Sequence, residues 1–149
     1  MRLRLSNQQS EVAAKVRPLR SRLKAALPLL PRPLPRNLAE VHIVLVDRAT
    51  IARVHGQFMD DPAETDVITF PYGEILVCPA VAQDRARELG LKLEDEVLLY
   101  ALHGLLHLAG YDDTTPKLAR EMAAAQEKLL GNVAGPAPGR GARRPSNSR

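Results

Sequence analysis

Two histidines, His103 and His107, stand four residues apart in the run Leu102-His103-Gly104-Leu105-Leu106-His107-Leu108. On a helix, residues i and i+4 lie one above the other on a single face, so both imidazoles can converge on one cation. Gly110 follows three residues after His107 and can take a left-handed conformation that turns the chain out of the helix. The returning chain carries Asp112 and Asp113 back toward the same point, and Asp113, six residues past His107, is the candidate third ligand. Two imidazoles and a carboxylate with open positions are a common catalytic zinc set, and they also suit other divalent metals. Histidine pairs at this spacing also occur as satisfied core residues; the glycine bend and the carboxylate beyond it are what point to a metal. Of the other two histidines, His42 falls inside a strand pattern and His55 on a helix flank, and both read as structural.

The elements that must position this group follow from periodicity. Residues 2–5 alternate polar and apolar, as in a half-buried strand. Ser6 and Asn7 are expected caps for a helix running to about Leu27, entered or kinked at Pro18. Four prolines between Pro28 and Pro35 predict an extended connector. Residues 41–46 are a nearly continuous β-branched run, which predicts a strand buried on both faces. Asp47 is placed to cap a helix over 48–57 with Ile51, Val54 and Phe58 on one side; 60–64 reads as a loop. Short strands are expected over 65–70 and 74–78, joined by Pro71-Tyr72-Gly73. Helices are expected over 80–89, 93–108 and 115–130, punctuated by Gly90, Gly110 and the Thr115-Pro116 pair. This order argues a single α/β (α+β-like) domain, a small mixed sheet of about four strands covered by about five helices.

At 149 residues the chain suffices for one such domain, spanning 1–130, with 131–149 expected as a disordered basic tail. Aromatics are only 3% with no Trp, so Leu, Val, Ile and Ala must fill the core. No apolar run suits a membrane span or a secretory signal, and the lone cysteine, Cys78, has no internal disulfide partner. These features fit a cytoplasmic protein.

Charge is unevenly placed. Residues 1–36 hold nine Lys/Arg and one acid, residues 37–130 hold eight and sixteen, and the last nineteen residues hold four Arg and no acid. Basic ends on an acidic middle suit a protein that docks on a polyanion, and Arg17, Arg20, Arg22 and Lys24 are the candidates for steering RNA. The alternative for these four is a solvated helix face.

Two resemblances bear on the histidine segment. His-x-x-x-His-x-x-Gly-x-x-Asp is similar to the zinc helix of metzincin-type proteases, which need Glu directly after the first His as general base. Here that position is Gly104, so peptide hydrolysis is disfavoured. His103-Gly-Leu-Leu-His107-Leu-Ala-Gly110-Tyr-Asp112 resembles more closely the His-Gly-x-Leu-His-Leu-x-Gly-Tyr-Asp-His motif of the YbeY family. Val44-Leu-Val-Asp47, Thr65-Asp-Val-Ile-Thr-Phe-Pro71 and Gly73-Glu-Ile-Leu-Val77 resemble further segments of that family, so the likeness runs from about 41 to 127.

The resemblance implies a rRNA maturation factor and single-strand-specific metallo-endoribonuclease, with single-stranded rRNA and the small ribosomal subunit as partners. It implies one Zn²⁺ held by His103, His107 and Asp113, through which these residues would be catalytic. Asp112 could orient a ligand or simply form the turn, and Asp66 and Thr69 could line the cleft. Three departures stand out. Asp113 replaces the family's third histidine, which cancels one unit of metal charge and makes bound water less acidic. Met59 falls where the family carries a loop Arg, beside an acidic 60–64 stretch. Only Tyr72 separates Pro71 from Gly73, shorter than the family norm. A metal-stapled ribosome-binding module that cuts nothing is the second reading.

Overall fold

The computed structural model describes residues 1–59 and 66–134. Four strands, β1 (Arg2–Asn7), β2 (Glu40–Leu45), β3 (Val67–Phe70) and β4 (Glu74–Val77), form one sheet in the order β1-β2-β4-β3. β1 and β4 flank β2 in parallel, and β3 closes the edge antiparallel to β4. Five α-helices accompany them: α1 (Val16–Ala26), α2 (Arg48–Met59), α3 (Pro79–Leu89), α4 (Leu93–Leu108) and α5 (Pro116–Ala134). The mixed four-stranded sheet and the helix number agree with the sequence reading.

Side-chain alternation divides the sheet into two faces. Leu5, Val41, Ile43, Leu45, Val67, Ile75 and Val77 enter the larger core with α1, α4 and α5. Val44, Ile68 and Leu76 point the other way and meet Ile51 of α2. β2 is thus buried on both sides, as its apolar run requires. The β3–β4 hairpin turns through Pro71-Tyr72-Gly73, where Gly73 N–H donates to Phe70 C=O (2.9 Å) and Gly73 sits at φ +106°. Proline second and glycine last suit the four-residue turn Phe70–Gly73, and a Cβ on Gly73 would come within 2.6 Å of Glu40 O.

α4 carries apolar residues all round and is buried nearly throughout, with Leu98, Leu99, Tyr100, Ala101, Leu102, Leu105 and Leu106 at 1% exposure or less. It lies tightly on the sheet at Gly104, where a Cβ would lie 2.6 Å from Ile75 Cγ2. Glycine here lets the helix lie against β4.

The expected first helix needs correction. Ser6 and Asn7 do not cap it; they end β1, because the β1–β2 ladder extends to the pair Asn7–Leu45. The loop that follows is held by Gln9, whose side chain donates to Val12 C=O (2.9 Å) and accepts from Val12 N–H (3.0 Å). α1 starts only at Val16, which puts Pro18 in its first turn, where a missing N–H costs no helical bond. A short 3₁₀ turn at Leu27–Leu29 opens the connector. Asp47 does cap α2, accepting from Thr50 N–H at 2.7 Å, and hydrogen bonds from the Thr50 hydroxyl first and this N–H second hold its carboxyl below the usual range. α5 runs to Ala134, four residues past the expected end at 130. The expected loop 60–64 and the remainder of the tail lie outside the described residues.

Two glycine substitutions separate packing from propensity. Gly104→Ala should lower stability in urea unfolding by about 1–3 kcal/mol, because Ile75 occupies the space a methyl needs. Gly131→Ala, with nothing near its Cβ position on α5, should instead raise stability by roughly 0.5–1 kcal/mol.

Candidate metal centre

His103 is fully buried, and His107 and Asp113 are half-buried. One ligand atom from each lies within 4.8 Å of the others, so the three can meet on a single ion. The imidazole rings stand edge to face at 82° with centroids 4.7 Å apart. Two imidazole nitrogens and a carboxylate oxygen are a donor set that zinc accepts.

Each ring is oriented by its other nitrogen. His107 Nδ1 donates to the Tyr111 carbonyl oxygen at 3.1 Å, and a carbonyl can only accept. His103 Nδ1 donates to Gln126 Oε1 at 2.6 Å. With both protons on Nδ1, both Nε2 atoms of the neutral rings carry lone pairs. Hydrogen bonds from the non-ligating nitrogen are the usual way a protein sets the tautomer and angle of a metal histidine.

The turn that delivers Asp113 is built with matching economy. Tyr111 N–H donates to Leu106 C=O and Gly110 N–H to His107 C=O, each at 3.0 Å, and Gly110 sits at φ +99°. That pair of bonds is a Schellman ending, and it satisfies carbonyls that the end of α4 would otherwise expose. Arg32 clamps the turn from outside, donating to Gly110 C=O (3.3 Å) with its guanidinium 3.9 Å over the Tyr111 ring. Asp112 accepts from Asp113 N–H (2.7 Å) and from the Thr114 hydroxyl (3.1 Å), the bonds of a turn residue. Thr115 then caps α5 through Leu118 N–H (3.1 Å).

The other sequence candidates fall elsewhere. Asp66 is fully buried and paired with Arg85 at 3.2 Å. Nearby, burial pushes the Tyr100 hydroxyl pKa up, and the buried Glu96 adds to the effect. Asp66 thereby belongs to a buried polar group bracing α3 and α4. Thr69 lies opposite Ile75 on β3, on the sheet face that α4 covers, with its hydroxyl buried. On α1, Arg20 donates to Leu5 C=O (3.4 Å) and Arg22 pairs with Asp95 (3.8 Å), while Arg17 and Lys24 are exposed. The side chain of Met59 lies outside the described residues. His55 is buried on α2, and His42 bonds the Ser6 hydroxyl at 2.8 Å.

Sequence reasoning missed Gln126 and Arg32. Gln126 is fully buried in a helix rich in alanine, and a buried amide there marks a specific partner; only the fold reveals that the partner is His103. Gln126→Leu should weaken zinc binding roughly 10- to 100-fold in a competition with a chromophoric chelator, and lower stability by about 1–3 kcal/mol because the His103 Nδ1–H loses its buried acceptor. Zinc uptake should also weaken as pH falls, because protons compete with the metal for the imidazole nitrogens.

The geometry has relatives. The family model described as endoribonuclease YbeY matches residues 4–134. The endoribonuclease YbeY of Kineococcus radiotolerans is 40% identical over 110 residues, a match spanning 62% of this chain and 64% of that protein. That of Acidothermus cellulolyticus is 39% identical over 114 residues, spanning 62% of this chain and 70% of that protein. The solution structure of TM1509 from Thermotoga maritima superposes with a TM-score of 0.67 at 31% identity, covering 89% of each chain. With the family model matched over most of its length, the chain belongs to the YbeY family.

Proposed function

We propose that this protein is a zinc-dependent endoribonuclease that cuts single-stranded rRNA during maturation of the small ribosomal subunit, in the cytoplasm. The observation that carries the metal-dependent part is the meeting of His103, His107 and Asp113 within 4.8 Å. The RNA part rests on the family, whose relatives in Kineococcus radiotolerans and Acidothermus cellulolyticus are named endoribonucleases. Ribosomal RNA, the small subunit and the cytoplasm follow from the resemblance; in keeping with them, no helix among the described residues is long and apolar enough to cross a membrane.

A zinc ion at this site would supply a Lewis acid for a phosphoryl oxygen and a means of acidifying water toward pKa ~7. The chain's own contribution is orientation. Gln126 and the Tyr111 carbonyl hold the two imidazoles in the tautomer that leaves Nε2 available. The Schellman bonds and Arg32 fix where Asp113 emerges. A rigid set of donors means that little reorganisation accompanies charge development in phosphoryl transfer. Asp113 contributes one negative charge where a third imidazole would contribute none, which tempers the electrophilicity of the ion.

Gly104 bears directly on the competing protease reading. The residue after the first histidine faces Ile75 at a distance that leaves no room for a Cβ, still less for the carboxylate of a general base. Peptide hydrolysis by the helix-borne Glu mechanism is therefore incompatible with this packing.

Purified protein with zinc restored should cleave single-stranded rRNA fragments, and His107→Ala should reduce cleavage at least about a hundredfold while leaving the fold intact. Equal background cleavage by both proteins would overturn the nuclease reading. Equal binding of both to small ribosomal subunits would then leave the non-catalytic assembly module.

A further inference from the structure

Five aromatic side chains serve the whole protein, and three of them gather on one part of its surface. Phe58, near the end of α2, meets Phe70 of β3 edge to face at 5.1 Å between centroids. Phe70 in turn stacks on Tyr72 of the hairpin loop at 5.4 Å and 18° between planes. Phe70 is half-buried, but Phe58 is 64% and Tyr72 67% exposed. Rings are the side chains that gain most from burial, so two held this open on a domain so poor in aromatics are conspicuous.

Strand register shows what surrounds them. Arg4, His42, Glu74 and Phe70 occupy one row across β1, β2, β4 and β3, on the sheet face opposite α4. The next row, Ser6, Val44, Leu76 and Ile68, carries the apolar side chains that pack against Ile51 of α2. The Arg4 row lies at the margin of that cover, and its members are half-buried or exposed. Three interstrand spacings make the row about 14 Å wide. Aromatic rings stand at one end of it and an exposed arginine at the other, with a carboxylate between them.

We infer that this open margin of the sheet is a platform for unpaired nucleobases, which stack on Tyr72 and Phe58 while the backbone runs toward the Arg4 edge. The inference rests on the RNA reading above and names how that substrate is held. Three features favour bases over another apolar partner. The rings already form a partial stack whose outermost members are open, and a base can extend it. Arg4, bonded to His42 Nδ1 (3.1 Å) and paired with Glu40 (3.2 Å), keeps a 55% exposed side chain that complements phosphate. Glu74, which accepts from the Tyr72 hydroxyl at 3.1 Å, suits the amino edge of a base and repels phosphate, which places bases over the ring end. A flat sheet surface bearing rings is a recurrent way of holding about two or three unpaired bases.

The metal centre is carried by α4, on the other face of the sheet. Phe70 follows Thr69, whose strand partner Ile75 packs on Gly104 between the two histidines. A duplex, with its bases stacked inside, has no bases to offer the rings.

The test is binding of the zinc-loaded full-length protein to a 2′-O-methyl RNA strand that resists cleavage, and to an abasic strand of the same length and charge. Tyr72→Ala should weaken binding to the base-bearing strand roughly tenfold, and Tyr72→Phe should retain it within about twofold, because stacking needs the ring and not the hydroxyl. The Phe58→Ala/Tyr72→Ala double variant should bind both strands alike, at the wild-type affinity for the abasic one. Equal affinity of wild type for the two strands, or unchanged affinity in the double variant, would overturn the platform even if RNA cleavage persists. Altered self-association in sedimentation with unchanged RNA affinity would make the patch a contact between copies and would equally overturn it. Failure of the wild type both to bind and to cleave RNA would remove the underlying RNA reading together with the platform.

Discussion

The contact between Gly104 and Ile75 sets the geometry from which the rest follows. With no side chain at position 104, α4 lies against β4 closely enough that Ile75 fills the place of a Cβ. His103 and His107 stand on the two sides of Gly104 in sequence, so the depth at which the helix packs also sets the depth of both imidazoles. A bulkier residue would lift the helix and with it the histidines. The same glycine removes the position from which a helix-borne general base could act. Packing and chemistry are therefore decided by one atom's absence: the site is reserved for donors that come from the helix face and from the turn after it.

Around that contact the fold supplies orientation in two layers. Gln126 and the Tyr111 carbonyl engage the Nδ1 atoms, and Arg32 braces the turn that carries Tyr111 and Asp113. These groups come from α5, from the turn itself and from the connector after α1, so three distant stretches of chain converge on a few atoms. A group of buried Asp66, Glu96 and Tyr100 with half-buried Arg85 ties the entry to β3 and α3 to the upstream half of α4. Its burial makes it a brace with electrostatic cost, of the kind that holds a helix in one register and is destabilising when one partner is lost.

Much of this was legible in the sequence because the signals are local. The His103/His107 pair, the glycine at 110 and the carboxylate beyond it are spaced by helix geometry and turn chemistry alone, and the structure brings them together. The β-branched run of β2, the Asp47 cap and the Gly90 stop are local as well. What escaped is non-local. Ser6 and Asn7 look like helix caps until β2 pairs with them and extends β1. Gln126 and Arg32 come to support the site only through tertiary packing, at separations of 23 and 78 residues from their partners. Gly104 read as a missing base; its steric role needed the position of β4. Asp66 reads from the sequence as a candidate cleft residue, and its full burial and ion pair with Arg85 become visible only in the fold.

The central claim is that two imidazole nitrogens and the Asp113 carboxylate hold one zinc ion, and zinc-edge X-ray absorption on the purified, zinc-loaded protein tests it most directly. The expected spectrum shows one equivalent of zinc with two imidazoles and oxygen neighbours at about 2.0–2.1 Å and no sulfur, and Asp113→Ala lowers the occupancy or exchanges that oxygen for water. A spectrum with sulfur at about 2.3 Å, which would implicate Cys78, would contradict the account. So would an unchanged first shell at full occupancy in Asp113→Ala.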